Sequence, residues 1–179
     1  FHTLTYSYET PAVCEDPDVA AFLDKLTLEE MVDIVVGIGM FGGETRFNLP
    51  GSVGNTTSKF WDKGLANVAL CDGPAGLRIE PKCGINTTAF PCATLLACTW
   101  NRDIVYQVGE AGAKEVKENN IAMWLTPAIN IHRSPLCGRN FEYYSEDPYL
   151  TGVLAGEMVK GMQSQHISAS VKHFALNNK

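Results

Sequence analysis

The spacing of apolar residues divides the chain into helical and extended stretches. Asp16-Pro17 reads as an N-cap followed by proline in the first helical position, and Val19, Phe22, Leu23 and Leu26 follow at helical spacing. Thr27-Leu-Glu-Glu30 is a capping box, with Glu30 three residues after its Thr27 cap. The helix it opens carries the apolar stripe Leu28, Met31, Val32 and Val35 and stops at Gly37. Ahead of both, residues 1–15 hold a short alternating run (Leu4, Tyr6, Tyr8) that reads as a linker or a strand. Residues 37–64 are rich in Gly, Asn, Thr and Ser, which predicts a long loop.

Beyond residue 64 a rhythm sets in. Val68-Ala-Leu-Cys71 is a short apolar strand that runs into Asp72-Gly73-Pro74, and a weaker strand is expected near Ala89-Phe90, before Pro91. Asn101 caps a helix carrying Ile104, Val105, Val108 and Ala111 that closes near Asn119-Asn120. Met123-Trp-Leu-Thr126 is the next strand. Asp147-Pro148 opens a helix with Leu150, Val153, Leu154 and Met158 facing inward, and Ala169-Ser-Val171 begins a further strand. Apolar strands alternating with amphipathic helices predict an α/β fold with a parallel sheet covered by helices. Chemistry in such folds collects at the C-terminal ends of strands. The polar clusters fall there: Asp72, then Asn130-Ile-His132-Arg133, then Lys172-His173.

Composition narrows the function classes. The 179 residues include 14 Lys+Arg and 20 Asp+Glu, a net charge of −6, which argues against a nucleic-acid partner because phosphate binding needs clustered cations. No apolar run approaches the roughly 20 residues of a spanning helix, so no membrane role is expected. The six cysteines, at 14, 71, 83, 92, 98 and 137, show no Cys-x-x-Cys or metal-ligand spacing. Most sit beside apolar residues, as in Leu-Ala-Cys98, and read as reduced core thiols of a cytoplasmic protein. An even cysteine count and the sequons at Asn55 and Asn86 keep secretion as the alternative.

Two motifs fail on context. Gly37-Ile-Gly39-Met-Phe-Gly42 has the dinucleotide spacing, with Asp62 about 20 residues on, but it follows a helix and opens no helix of its own. His132 and His173 lie far apart, each beside a cation (Arg133, Lys172) that opposes a divalent metal, so neither a metal nor an organic cofactor is expected. Asp72, Arg78, Arg139, Lys172 and His173 make a better case together. A sugar hydroxyl asks for a donor and an acceptor at once, and an Asp beside cations supplies both through charge-assisted bonds.

Three segments then carry a resemblance: Asp72-Gly-Pro-Ala-Gly-Leu-Arg78, Gly138-Arg139-Asn-Phe-Glu-Tyr-Tyr-Ser-Glu-Asp-Pro148 and Lys172-His173-Phe174-Ala-Leu-Asn177. In order and interval they resemble the signature segments of glycoside hydrolase family 3, in its β-glucosidase-like branch, from about Thr27 onward. Thr27-Leu-Glu-Glu30 and Phe90-Pro91 also match usual family positions. The resemblance implies that Asp72 accepts hydrogen bonds from far hydroxyls of a non-reducing-end sugar, and that Arg78 and Arg139 support the pocket and donate to ring hydroxyls and neighbouring carboxylates. Lys172 and His173 would donate nearer the reacting carbon, in a backbone that family members often strain, sometimes with cis peptides.

The resemblance also implies what lies elsewhere. Family members are retaining enzymes with an Asp nucleophile in a Ser-Asp-Trp-like segment downstream of the Lys-His-Phe motif, and an acid/base Glu usually supplied by a second domain. This sequence contains neither, and Glu146 and Asp147 read as helix-start residues. Ala175-Leu-Asn177-Asn178 departs from the Pro-Gly-His continuation of the N-acetylglucosaminidase branch. The expectation is therefore a fragment, opening at Phe1 and closing in mid-pattern at Lys179: a linker or strand over 1–15, then over 16–179 the N-terminal half of a (β/α)8 TIM-type catalytic domain. With 67 residues ahead of the first clear strand, 179 − 67 = 112 remain, room for about four strand–helix units. The parent would be a retaining exo-β-glycosidase acting on a β-glucoside or short β-linked oligosaccharide. The fragment alone would be inactive and would need the rest of its chain to complete the barrel. The alternatives are a β-xylosidase of the same family and a catalytically silent carbohydrate-binding homologue.

Overall fold

The computed structural model describes residues 16–39, 52–55, 58–79 and 84–178. The expected run at Leu4, Tyr6 and Tyr8 and the third glycine of the dinucleotide-like motif, Gly42, lie outside them. The chain divides into two compact units, residues 1–36 and 37–179.

The first unit holds α1 (Pro17–Leu23) and α2 (Leu28–Val36). Asp16 caps α1, its Oδ1 accepting from the Asp18 N–H at 2.9 Å, and Pro17 takes the first helical position, where a missing N–H costs nothing. The capping box closes reciprocally. Thr27 Oγ1 accepts from the Glu30 N–H at 3.2 Å, and Glu30 Oε2 accepts from the Thr27 N–H at 2.8 Å. Gly37, at φ 64°, supplies the left-handed residue that ends α2.

The second unit contains β1 (Ile38–Gly39), β2 (Ser52–Asn55), β3 (Ala69–Cys71), α3 (Ala93–Cys98), α4 (Arg102–Glu118), β4 (Met123–Trp124), α5 (Pro148–Gln163) and β5 (Ser168–Ala169), with 3-10 turns at Ser58–Lys63 and Asn140–Glu142. The sheet order is β1-β2-β3-β4-β5. Pairing is parallel from β3 onward, with Cys71 opposite Trp124 and Trp124 opposite Ala169. An isolated parallel bridge between Ala128 and Lys172 prolongs it. The wholly parallel sheet expected from sequence is corrected at the other edge, where β1, β2 and β3 pair antiparallel. Those two strands lie inside the stretch read as loop. Ser-Val-Gly-Asn and Ile-Gly offer one apolar side chain each, so neither periodicity could mark them. Among the described residues the parallel part comprises three strands and two helical crossovers, against about four units expected. The long connections 72–92 and 125–147 use the remaining length.

The expected strand at Ala89-Phe90 is absent; that stretch is irregular, and the Phe90 N–H donates to Ala75 O at 2.9 Å. The helix α3 follows it unforeseen, because six residues are too few to display a period and its cap residue Cys92 makes no side-chain bond. The two long helices begin where expected. Asn101 accepts from the Asp103 N–H at 2.9 Å and Asp147 from the Tyr149 N–H at 2.8 Å.

Of the apolar residues that mark α4, Val105 is buried and Val108 packs against the core, while Ile104 and Ala111 face outward; Gly109, Gly112, Ala113 and Val116 complete the buried face. Glycine sets this packing. A Cβ at Gly109 would lie 2.5 Å from Met158 O, one at Gly161 2.2 Å from Tyr106 O, and one at Gly112 2.3 Å from the Trp124 ring. The helices α4 and α5 therefore meet nearly backbone to backbone, with Leu154, Met158 and Met162 buried around the contact. Of the four described cysteines, none in a disulfide, Cys71 and Cys137 are buried as expected, but Cys98 is exposed, facing away from the core.

Candidate functional site

The C-terminal ends of β3, β4 and β5 lie side by side, and each hands over to a polar segment. Asp72 follows β3, Asn130 lies beyond β4, and Lys172-His173 follow β5. The Gly73–Arg78 turn is tied down by the Gly76 N–H donating to Gly73 O at 3.0 Å and the Arg78 N–H donating to Asp72 O at 2.9 Å. Gly73 sits at φ 120°, and a Cβ there would fall 1.8 Å from Gly76 O, so only glycine closes this turn. From below, the wholly buried Trp124 donates its indole N–H to Gly73 O at 2.9 Å. The buried Cys71 thiol lies 3.3 Å from Arg78 O, and burial pushes it up to about 11, so it stays protonated and donates there.

Asp72 is the centre of the site. Its Oδ1 accepts from Lys172 Nζ at 2.6 Å, and its Oδ2 lies 3.2 Å from Arg78 Nη1. Burial alone would raise its carboxyl; the hydrogen bond and charge of Lys172, the Gly73 N–H and the Arg78 guanidinium outweigh it and hold the carboxyl below its usual range. Lys172 is the enclosed partner, with 14% of its side chain exposed, whereas Arg78 is 71% exposed.

Arg139 and His173 form the second half. Arg139 Nε donates to the buried Glu142 carboxylate, and that bond strengthens the guanidinium's hold on its proton. Its Nη2 donates to His173 Nε2 at 3.0 Å. On the other side of the ring, Nδ1 faces the Tyr143 hydroxyl at 3.2 Å, and that hydroxyl accepts from Asn177 Nδ2 at 2.9 Å. Asn130 clamps the His173 backbone with both ends of its amide, accepting from its N–H at 2.9 Å and donating to its C=O at 3.1 Å. Burial first, then the charges of Arg139 and Lys172, lower the imidazole's affinity for a second proton, so the ring is neutral at pH 7. The Lys172–His173 and Phe174–Ala175 peptide bonds are cis, as is Thr126–Pro127.

All five residues singled out from sequence thus meet at one end of the sheet. Arg139 is close enough for the Asp72 charge to act on it, and both ring nitrogens of His173 already have protein partners. Sequence reasoning passed over Asn130, Trp124 and Tyr143 as members of the site. Asn130 had a signal, its place in the polar cluster after β4; buried aromatics inside apolar or motif segments carry none. His132, from the same cluster, turns away: its Nε2–H is shared between Asn140 O at 2.8 Å and Tyr143 O at 2.9 Å, latching the 3-10 turn that carries Glu142. Among the described residues no three His, Cys, Asp or Glu side chains converge as a metal site. A cavity of about 250 Å³ adjoins the cluster, sharing Arg78 and Glu142 with it and lined also by Thr87, Thr88 and Phe141.

Residues 77–177 match the glycosyl hydrolase family 3 N-terminal domain. β-Glucosidase A of Butyrivibrio fibrisolvens is 55% identical over 161 residues, which cover 88% of this chain and 18% of that protein. An exo-α-(1→6)-L-arabinopyranosidase of Bifidobacterium longum is 43% identical over 126 residues, 65% of this chain and 17% of that one. The structure of β-glucosidase 3B from Thermotoga neapolitana in complex with glucose superposes with a TM-score of 0.81 at 48% identity, over 90% of this chain and 23% of that one. The chain thus spans about a fifth of the length of the relatives it matches. With the Asp72, Arg139 and Lys172-His173 segments all inside or beside the matched stretch, this chain belongs to glycosyl hydrolase family 3.

Proposed function

We propose that the polypeptide carrying this chain is a retaining, exo-acting β-glycosidase of the β-glucosidase type, and that residues 16–179 are the N-terminal part of its (β/α)8 catalytic domain. The observation that carries this reading is the Lys172–Asp72–Arg78 cluster at the strand ends, with Arg139 beside it. An ionised carboxylate flanked by fixed cations binds the vicinal hydroxyls of a pyranose well. Asp72 accepts from two neighbouring hydroxyls, while Lys172 and the arginines donate to the oxygens beside them. These bonds orient the ring, and those nearest the reacting carbon tighten as it flattens toward an oxocarbenium ion. His173, with its ring nitrogens engaged, serves this pocket through Arg139 or by exchanging one of those partners for a hydroxyl.

Bond breaking in a retaining glycosidase takes two carboxylates roughly 5–5.5 Å apart, one as nucleophile and one as acid/base. Both are assigned to the remainder of the parent polypeptide, and this chain supplies recognition. The test is a comparison of aryl β-glucoside hydrolysis by the 179-residue chain and by the intact polypeptide. Turnover by the intact form and none by the chain is expected; turnover by the purified chain alone would refute the assignment. Similarity to an L-arabinopyranosidase, whose sugar is a pentopyranose without an exocyclic CH2OH, favours a pentosidase as the second reading. An aryl β-xyloside and an aryl α-L-arabinopyranoside in the same assay separate the two.

A further inference from the structure

Arginine has only donors, so the lone pair it meets on His173 identifies Nε2 as the unprotonated ring nitrogen. In a neutral imidazole the proton then sits on Nδ1, and there it points at the Tyr143 hydroxyl oxygen. That oxygen accepts twice, from His173 and from Asn177, while the Asn130 clamp prevents the ring from escaping by a backbone shift. The opposite tautomer would bring the Nε2–H against an Arg139 N–H, donor against donor.

We infer that Tyr143 is a positioning residue: by accepting the Nδ1 proton it holds His173 in the one neutral tautomer whose Nε2 can receive Arg139, and so aims the guanidinium at the Asp72 cluster. The link from Arg139 to a sugar rests on the function proposed above; the tautomer does not. Tyr143 is wholly buried, its ring edge-on to His173 at 6.1 Å, and it belongs to the 3-10 turn region that also delivers Arg139 and Glu142. One short segment therefore carries the donor, its carboxylate anchor and the residue that prepares its acceptor. Burial chiefly keeps the second proton off the ring; of the charged groups acting on it, Arg139 and Lys172 add to that effect and Glu142 and Asp72 oppose it.

The experiment uses the intact polypeptide with 15N-histidine and reads the His173 tautomer by long-range 1H–15N correlation near neutral pH. The protonated nitrogen is expected to be Nδ1. In Tyr143→Phe the proton is expected to redistribute toward Nε2, with KM for an aryl β-glucoside raised roughly tenfold, the loss expected of one buried hydrogen bond, and kcat changed less. An Nε2–H tautomer in the unmodified protein overturns the inference, and so does a Tyr143→Phe protein with unchanged tautomer and KM. If that variant fails to fold, the spectrum of the unmodified protein decides. If the polypeptide ignores glucosides altogether, the proposed function fails while the spectrum still judges the tautomer.

Discussion

Replacing Gly161 with alanine sets two effects against each other whose sizes can be worked out. In a helix interior, Gly→Ala stabilises by about 1 kcal/mol. At Gly161, however, the new Cβ lies 2.2 Å from Tyr106 O and 2.9 Å from the Glu110 N of the facing helix. An ordinary carbon–oxygen contact is about 3.3 Å, so α5 must retreat from α4 by about 1.1 Å. Both obstructing atoms are backbone, and no rotamer change relieves them. A gap of that size forfeits up to about half of the dispersion attraction across the interface, where Leu154, Met158 and Met162 pack. Overpacking costs about 1–3 kcal/mol, and a backbone clash belongs at the top of that range, so the net loss is about 2 kcal/mol. Gly152 and Gly156 lie on the same helix with nothing within 4 Å of their Cβ positions. Alanine there keeps the propensity gain of up to about 1 kcal/mol. The two classes should differ by about 3 kcal/mol, a midpoint separation of about 1.5 M urea for a slope of about 2 kcal/mol/M. Urea unfolding followed by tryptophan fluorescence reads this directly. A Gly161→Ala midpoint at or above the unmodified protein, or three variants that shift together, refutes the backbone-contact account.

Three further outcomes follow from the site. Asp72→Asn keeps the shape but leaves the enclosed Lys172 without its charge partner, which should cost about 3 kcal/mol, the lower end for breaking an enclosed pair, and, on the function proposed above, abolish glucose binding in calorimetric titration; an unchanged titration would show that the cluster does not hold sugar. The Asp72 carboxyl is depressed, so its contribution is fully present above the ordinary carboxylate value of about 3.9 and is lost as pH falls through the lower folded value. A carboxyl-detected NMR titration placing Asp72 at or above the ordinary value contradicts this. Trp124→Phe removes the indole donor to Gly73 O and should cost about 1–3 kcal/mol while loosening the Gly73–Arg78 turn; unaltered amide exchange at Arg78 would remove Trp124 from the account.

What could be read from the chain depended on how each residue acts. Caps and long apolar stripes act locally, so Asp16, Thr27, Asn101 and Asp147 marked their helices directly. The strands β1 and β2 exist through pairing with β3 and carry little pattern of their own. The buried face of α4 is only half visible in its apolar residues, because its central residues are Gly109 and Gly112, which contribute by absence of bulk and count for nothing in a hydrophobicity pattern. In the site, the charged residues were legible because charge at a strand end needs a reason. The hydrogen bonds of Tyr143, Asn130 and Trp124 were not, since each joins segments 30 or more residues apart.

The bond between Lys172 and Asp72 spans 100 residues of sequence. The contact exists only where both helical crossovers bring the three parallel strands into line, so it depends on the parallel part of the sheet as a whole. A ligand that grips both residues therefore acts as a removable clasp on the folded state, adding stability in proportion to the logarithm of its concentration. A sugar bound at this cluster as proposed should then slow the opening of the parallel part of the sheet as well as occupy the site.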